Sequence, residues 1–290
     1  MAAKEGEFRV ECVNNVHYVT HLFCKYPLKL LSLNTKLDFA ILYVLSYGGG
    51  LVSGDQVALK IHLGKDATLC IQTQGSTKVY KETRVGRITR QLMDVHVSAN
   101  ATCLLLQDPV QPFGSSNYMQ TQNFVLEDTT SSLALLDWTI QGRSHMGERW
   151  TMKSYISKNI IKRGFDEEGN LSVLLRDTLQ LINEPTLHIG SKADRMNNFE
   201  CAGSLYLVGP KFEEAKKGIL NHYRNKESRM GKTTSLLEQN NTFWTACELR
   251  SVTIIKFASY STEKAREFLL HLFGDFAPEI HREALRAFWY

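Results

Sequence analysis

Long apolar runs are missing. No stretch of the 290 residues reaches the roughly 18 apolar residues that a membrane helix needs, so no membrane role is expected. The opening MAAKEGEFRVECV has no apolar core and does not read as a secretory signal. Blocks of one charge sign are also absent. Lys and Arg number 34 against 30 Asp and Glu, and the net charge of +4 reads as evenly spread, which argues against nucleic acid as a partner. The six cysteines (Cys12, Cys24, Cys70, Cys103, Cys201, Cys247) contain no C-x-x-C pair, so neither a disulfide framework nor a structural zinc site is expected. Scattered buried thiols suit a reducing compartment, and the cytoplasm is the simplest location. No proline- or serine-rich linker divides the chain, which predicts one domain over residues 1–290. No internal repeat of fixed period is visible.

Catalytic and nucleotide signatures are missing too. There is no G-x-S-x-G elbow for a hydrolase. MGKTT at 230–234 lacks the glycine a P-loop needs five residues before Gly231, where Lys226 stands. SYGGGLVSGD, with Gly48, Gly49, Gly50 and Gly54, does not keep dinucleotide-loop spacing and leads into a strand pattern rather than a helix. A sharp β corner needing positive φ or close backbone approach is the plainer reading. His17 and His21 sit in VHYVTH, a strand-like stretch, where four residues separate the rings by about 13 Å, too far for one ion.

What is present is alternation. Val57, Leu59, Ile61 and Leu63 alternate with Ala58, Lys60 and His62, as a half-buried strand does. Similar patterns recur at 69–71, 92–97, 102–106, 123–126, 133–138, 149–157, 171–181, 205–208 and 252–258, with turn residues between them. They predict a large antiparallel or coiled β architecture. Helix signals come late. KFEEAKKGILNHYR follows Pro210. STEKAREFLLHLFG has Ser261 or Thr262 to cap it, Glu263 in its first turn and Gly274 to end it. PEIHREALRAFWY is a third candidate. The polar 225–241 reads as an exposed loop. DWTIQGRSHMGERW places Asp137, Arg143 and Glu148 around two glycines, which describes either a site that positions charges or a salt-bridged turn.

YGGGLVSGDQVALKIHLGKDATLCIQTQGSTKVYK, QDPVQPFGSSNY and DWTIQGRSHMGERW, in that order and spacing, resemble the UreD (UreH) family of urease accessory proteins. CKYPLKLLS resembles the opening of its eukaryotic members. The motifs lie between Cys24 and Trp150, and the rest fits more loosely. The resemblance implies a mainly β, coiled, β-helix-like stack of strands with two or three helices in the C-terminal third. It implies no catalysis and no tightly bound cofactor. The partners it implies are apo-urease and UreF, through which the GTPase UreG is recruited, with nickel in transit through an internal passage. On that basis Asp55, Asp137 and Glu148 are the candidate passage acids, each with an ordinary ion pair as the competing role. Gly75, Thr77, Lys78 and Tyr80 would support an interface or the passage wall, and Phe288 and Trp289 a partner contact or the core. Absence of a Cys/His cage suits transit and equally suits a protein with no metal role. A β-rich enzyme with a carboxylate site and a plain scaffold remain alternatives.

Overall fold

The computed structural model describes residues 6–33, 37–165, 171–182, 191–230, 237–239, 241–278, 280 and 282–288. The strands are β1 (Gly6–Val13), β2 (Val16–Cys24), β3 (Leu28–Leu33), β4 (Ala40–Ser46), β5 (Gln56–Leu63), β6 (Thr68–Gln72), β7 (Thr77–Val79), β8 (Thr89–Val97) and β9 (Thr102–Leu106). They continue with β10 (Val110–Pro112), β11 (Asn117–Leu126), β12 (Ser132–Ile140), β13 (Ser154–Phe165), β14 (Leu171–Ile182), β15 (Cys201–Val208), β16 (Leu237–Gln239), β17 (Thr242–Leu249) and β18 (Val252–Ser259). Helices are α1 (Lys192–Arg195), α2 (Glu213–Met230) and α3 (Thr262–Phe276).

Two sheets face each other. The first runs β14-β13-β11-β8-β5-β1-β2, and the second β16-β17-β18-β15-β12-β9-β6-β4-β3. From β4 to β13 the chain winds between them. β4, β6, β9 and β12 are parallel neighbours in the second sheet. β5, β8, β11 and β13 are parallel neighbours in the first. One strand from each sheet makes a coil, and four coils stack. At one corner a short third segment recurs: Leu51 bridges Val79, β7 pairs with β10, and β10 reaches Thr139. The expected coiled β stack is therefore present, and mostly parallel rather than antiparallel in its centre. Successive coils begin at Ala40, Thr68, Thr102 and Ser132. These intervals are unequal, so the repeat leaves no fixed period in the sequence.

Side-chain alternation explains the layers. β5 turns Val57, Leu59, Ile61 and Leu63 into the space between the sheets, and β8 adds Met93, Val95 and Val97. β12 is buried along its whole length. Its Leu133 and Leu135 face the first sheet, whereas Ala134, Leu136 and Trp138 face the helices. A parallel strand covered on both faces reads as a continuous apolar run, which is what SLALLDWTI shows. On the outer side of the second sheet, α3 buries Ala265, Phe268, Leu269, Leu272 and Phe273. Full burial of each Leu or Phe contributes about 1.5–3 kcal/mol. Ser261 caps the helix by accepting from the Lys264 N–H, with Glu263 in the first turn.

Several boundaries differ from the sequence reading. The strand expected over 149–157 starts only at Ser154, because the 141–150 segment folds as a corner with Trp150 at φ 55°. α2 runs on to Met230, into the stretch expected to be a loop. The third helical candidate is a 3-10 helix over Arg282–Phe288. The apolar face of α3, Phe268 included, packs into the core. The Phe288 side chain and all of Trp289 lie outside the described residues.

Candidate functional site

The segments that stand out in the sequence fall at one place. SYGGGLVSGD, TQGSTKVYK, QDPVQPFG and QGRSHMGERW each follow a second-sheet strand and form the same corner on successive coils. Backbone bonds tie the corners together: Leu51 N–H donates to Lys78 O (2.8 Å), Tyr80 N–H to Leu51 O (2.9 Å) and Phe113 N–H to Val79 O (2.9 Å). Side chains form a second ladder. Tyr80 meets Phe113 edge to face at 5.3 Å, and the Arg143 guanidinium lies over Phe113 at 4.4 Å.

The glycines serve this stacking. Gly48 and Gly49 turn the chain with φ of 75° and 74°, and Gly54 and Gly75 also have positive φ. Gly50 is different. Its backbone is extended, but a Cβ there would lie 2.7 Å from both Lys78 O and the Tyr80 ring. Close approach of the next coil, not φ, requires glycine at that position. Thr77 and Val79 carry the β7 pairing, Lys78 is exposed, and Tyr80 is half-buried.

The three candidate acids are not brought together. Asp55 accepts from the Val52 N–H at 2.8 Å and closes the turn at its own loop. Glu148 is bound by Arg143, through its backbone N–H and its guanidinium. That hydrogen bonding by Arg143 holds the Glu148 carboxyl down at about 2. Glu148 thus takes the ion-pair role within the corner.

Asp137 lies elsewhere, between the two sheets and 4% exposed. It continues the inward face of β12 where Leu133 and Leu135 precede it. Gln120 Nε2 donates to its Oδ1 at 2.8 Å, and Asn159 Nδ2 (2.6 Å) and Ser157 Oγ donate to its Oδ2. Burial raises its pKa above the ordinary Asp value and outweighs the lowering by these donors. The polar set extends both ways. Gln122 Nε2 donates to Asn159 Oδ1 at 2.9 Å, and the Tyr118 hydroxyl lies 3.1 Å from Gln120 Oε1 and 3.2 Å from Gln91 Oε1. Tyr155 is stacked on Tyr118 at 5.9 Å, and its buried hydroxyl lies near Ser157 and Thr139. Nearby, Tyr206 OH donates to Asp177 Oδ2 (2.6 Å), which Lys256 Nζ reaches from the surface at 2.8 Å.

This seam of amide, hydroxyl and carboxyl groups reaches the corner through Gln91. A cavity of about 370 Å³ is lined there by Tyr47, Gly48, Gly49, Gly75, Gln91 and Gln107. Gln91 belongs to both the cavity wall and the seam.

Sequence reading missed two things. Gln120, Gln122, Ser157 and Asn159 occupy inward positions of β11 and β13, where apolar residues are the rule. NYMQTQNFVL carries that signal, an alternation whose inward members are Tyr118, Gln120 and Gln122 before Phe124 and Leu126. Asp108, in QDPVQPF, was not singled out. Its carboxylate accepts from the Gly75 N–H (2.9 Å) and Thr73 Oγ1 (3.2 Å) and pairs with Arg266 of α3 at 2.9 Å. Burial raises its pKa, opposed by the Arg266 charge. It locks two corners to the helix layer. Among the described residues, no three His, Cys, Asp or Glu side chains gather where they could hold a metal ion, and no helix is long and apolar enough to cross a membrane. All six cysteines are free thiols.

Fold and site together define a class: a two-sheet β coil with helices on one side, a reinforced corner, and a polar interior that reaches that corner through Gln91. The chain belongs to the UreD urease accessory protein family, whose family model matches residues 4–290. It is 63% identical, over the full length of both chains, to a ureD-like urease accessory protein of Schizosaccharomyces pombe. Identity is 33% to urease accessory protein D of Arabidopsis thaliana, over 76% of this chain and 73% of that one. It is 36% to urease accessory protein UreD of Sorangium cellulosum, over 67% of this chain and 58% of that one. A role in urease maturation follows from that membership.

Proposed function

We propose that this chain is a non-catalytic scaffold of urease maturation in the cytoplasm. It binds apo-urease and a UreF-like protein, and through the latter works with a UreG-like GTPase. Nickel is its cargo, carried between the two sheets along the polar seam past Asp137. The observation that supports this reading is the seam itself. A divalent ion cannot enter an apolar interior without polar ligands or water. Here a run of amide, hydroxyl and carboxyl oxygens links the cavity wall at Gln91 to Asp137. Oxygen donors of this type hold a borderline divalent ion weakly enough to release it. Asp55 and Glu148 already have local partners and are assigned to shaping the corner.

The test is made in urease-producing cells. Tagged chain should co-purify with apo-urease and a UreF-like protein. Asp137→Ala should leave that complex in place but lower nickel per urease active site. Asp55→Ala and Glu148→Ala should lower nickel only as far as they lower the complex. Loss of complex and nickel in parallel for Asp137→Ala would remove the passage role. Turnover of a substrate by the purified chain alone would overturn the non-catalytic reading.

A further inference from the structure

The two sheets have unlike outer faces. The second is covered by α2 and α3, which pack on β17 and β18. Among the described residues, no helix covers the first. Strand register places its outward side chains in rows. Arg90, Met119 and Ile156 are neighbours across β8, β11 and β13, and Leu92, Thr121 and Lys158 form the next row. Ile160 and Arg176 pair across β13 and β14, while Val125 and Lys162 pair across β11 and β13. Leu92, Met119, Val125, Ile156 and Ile160 are half-buried in the pleat. Lys60, Arg90, Lys158, Lys162 and Arg176 stand among them.

None of these five cations is in an ion pair among the described residues. Some cations elsewhere do meet carboxylates: Arg143 with Glu148, Lys153 with Glu82, Lys256 with Asp177 and Arg266 with Asp108. Two acids share the face, and register sets Lys60 between them, opposite Glu7 on β1 and Asp94 on β8, so the excess of positive charge lies with Arg90, Lys158, Lys162 and Arg176. Asp94 accepts from Asn123 Nδ2 at 2.7 Å, and Glu7 pairs with Arg9. Five cations without an ion pair among the described residues thus share one partly apolar face with the carboxylates of Asp94 and Glu7.

We propose that the outer face of the first sheet docks a partner protein through a flat surface of carboxylates interleaved with apolar side chains. Unpaired cations attract such a surface, and the half-buried Leu, Met, Val and Ile are covered on contact. A second copy of this face would bring cation against cation. Nucleic acid would leave the apolar rows against phosphate, and for a membrane the apolar groups lie recessed among the lysines. The inference rests on the accessory reading only in that the partner is sought in the urease assembly.

Cells making the tagged full-length chain are treated with a carbodiimide, which joins a lysine amine directly to a touching carboxylate. Lys60, Lys158 or Lys162 should be joined to Asp or Glu of one protein. Lys158→Glu, Lys162→Glu and Arg176→Glu together should lower capture of that protein by about tenfold or more, and changing the joined carboxylates to lysine should restore it. If the triple Glu variant does not fold, the corresponding Gln variant should show a smaller loss that wild-type chain matches as salt is raised. Three results would overturn the proposal: no cross-link from these lysines, undiminished capture by a folded variant, or a variant defect confined to phosphatidylserine vesicles or RNA. A reciprocal cross-link to a protein outside the urease assembly would leave the docking surface standing and remove the accessory reading instead.

Discussion

Replacing Asp137 by asparagine removes one titratable proton and almost no volume. In the folded chain the carboxyl is buried, and burial raises its pKa above the ordinary 3.8. Between 3.8 and the higher folded value, the folded state binds more protons than the unfolded state. Stability from this group is therefore fully present at low pH and declines as pH rises, by at most about 1.4 kcal/mol per pH unit for one proton. Asparagine has no such slope. Its own cost is geometric. Gln120, Ser157 and Asn159 all donate to the carboxyl; the O–H of the protonated acid can be met by turning the Ser157 hydroxyl, but the amide NH2 brings a second hydrogen that faces an amide donor, at about 1–2 kcal/mol. Asp137→Asn should be less stable than wild type in mild acid, with the deficit shrinking as pH rises. Asp137→Ala leaves the three donors without their shared acceptor. Gln120 Nε2 keeps Ser157 Oγ at 2.7 Å, so the cost sits at the low end, about 3 kcal/mol, or roughly 6–12 °C in Tm. Urea unfolding of each protein across the acid to neutral range gives the difference directly, and Asp108, present in all three, cancels. A difference independent of pH would refute the reasoning. It would mean that the donors offset burial and leave the carboxyl with the same pKa folded and unfolded.

The corner and its anchor give further expectations. Gly50→Ala presses a Cβ on the Lys78 carbonyl, which cannot move without its coil, and thermal melting should show a loss of about 1–3 kcal/mol. Glu148, held at about 2 by Arg143, adds stability above its ordinary 4.5 that fades as pH falls toward 2. Arg143→Met should remove that step, so wild-type and variant acid-unfolding curves should converge at low pH. Arg266→Met strands the Asp108 carboxylate, and chemical denaturation should show a cost of about 3 kcal/mol, much less when combined with Asp108→Asn. Lys78→Ala with Tyr80→Ala should lower urease activation in cells at normal protein level; unchanged activation would limit the motif to a structural role.

Strand content was legible because alternation is a local signal, and β5 could be read residue by residue. The coil was not, because neighbours such as Leu51 and Val79 are set by turn lengths that differ from coil to coil. α2 was cut short because Asn225–Met230 is polar and lacks an apolar stripe. Asp137 was a candidate passage acid only through the family resemblance. Its donors come from β11 and β13, and nothing in the linear order aligns Gln120 with Ser157. Asp108 depends on Arg266, 158 residues away, a pairing that no local pattern contains.

Because each coil is laid on the last by strand pairing, the corner works as a ruler graduated at one strand spacing, about 4.8 Å. Gly50, Tyr80, Phe113 and Arg143 are successive marks on it. A residue added within a central strand slips that strand by one and turns its inward side chains outward. A change of length within a central strand is therefore ruinous, and the corner accepts only residues that fit between its rungs, as Gly50 does beneath Lys78 and Tyr80.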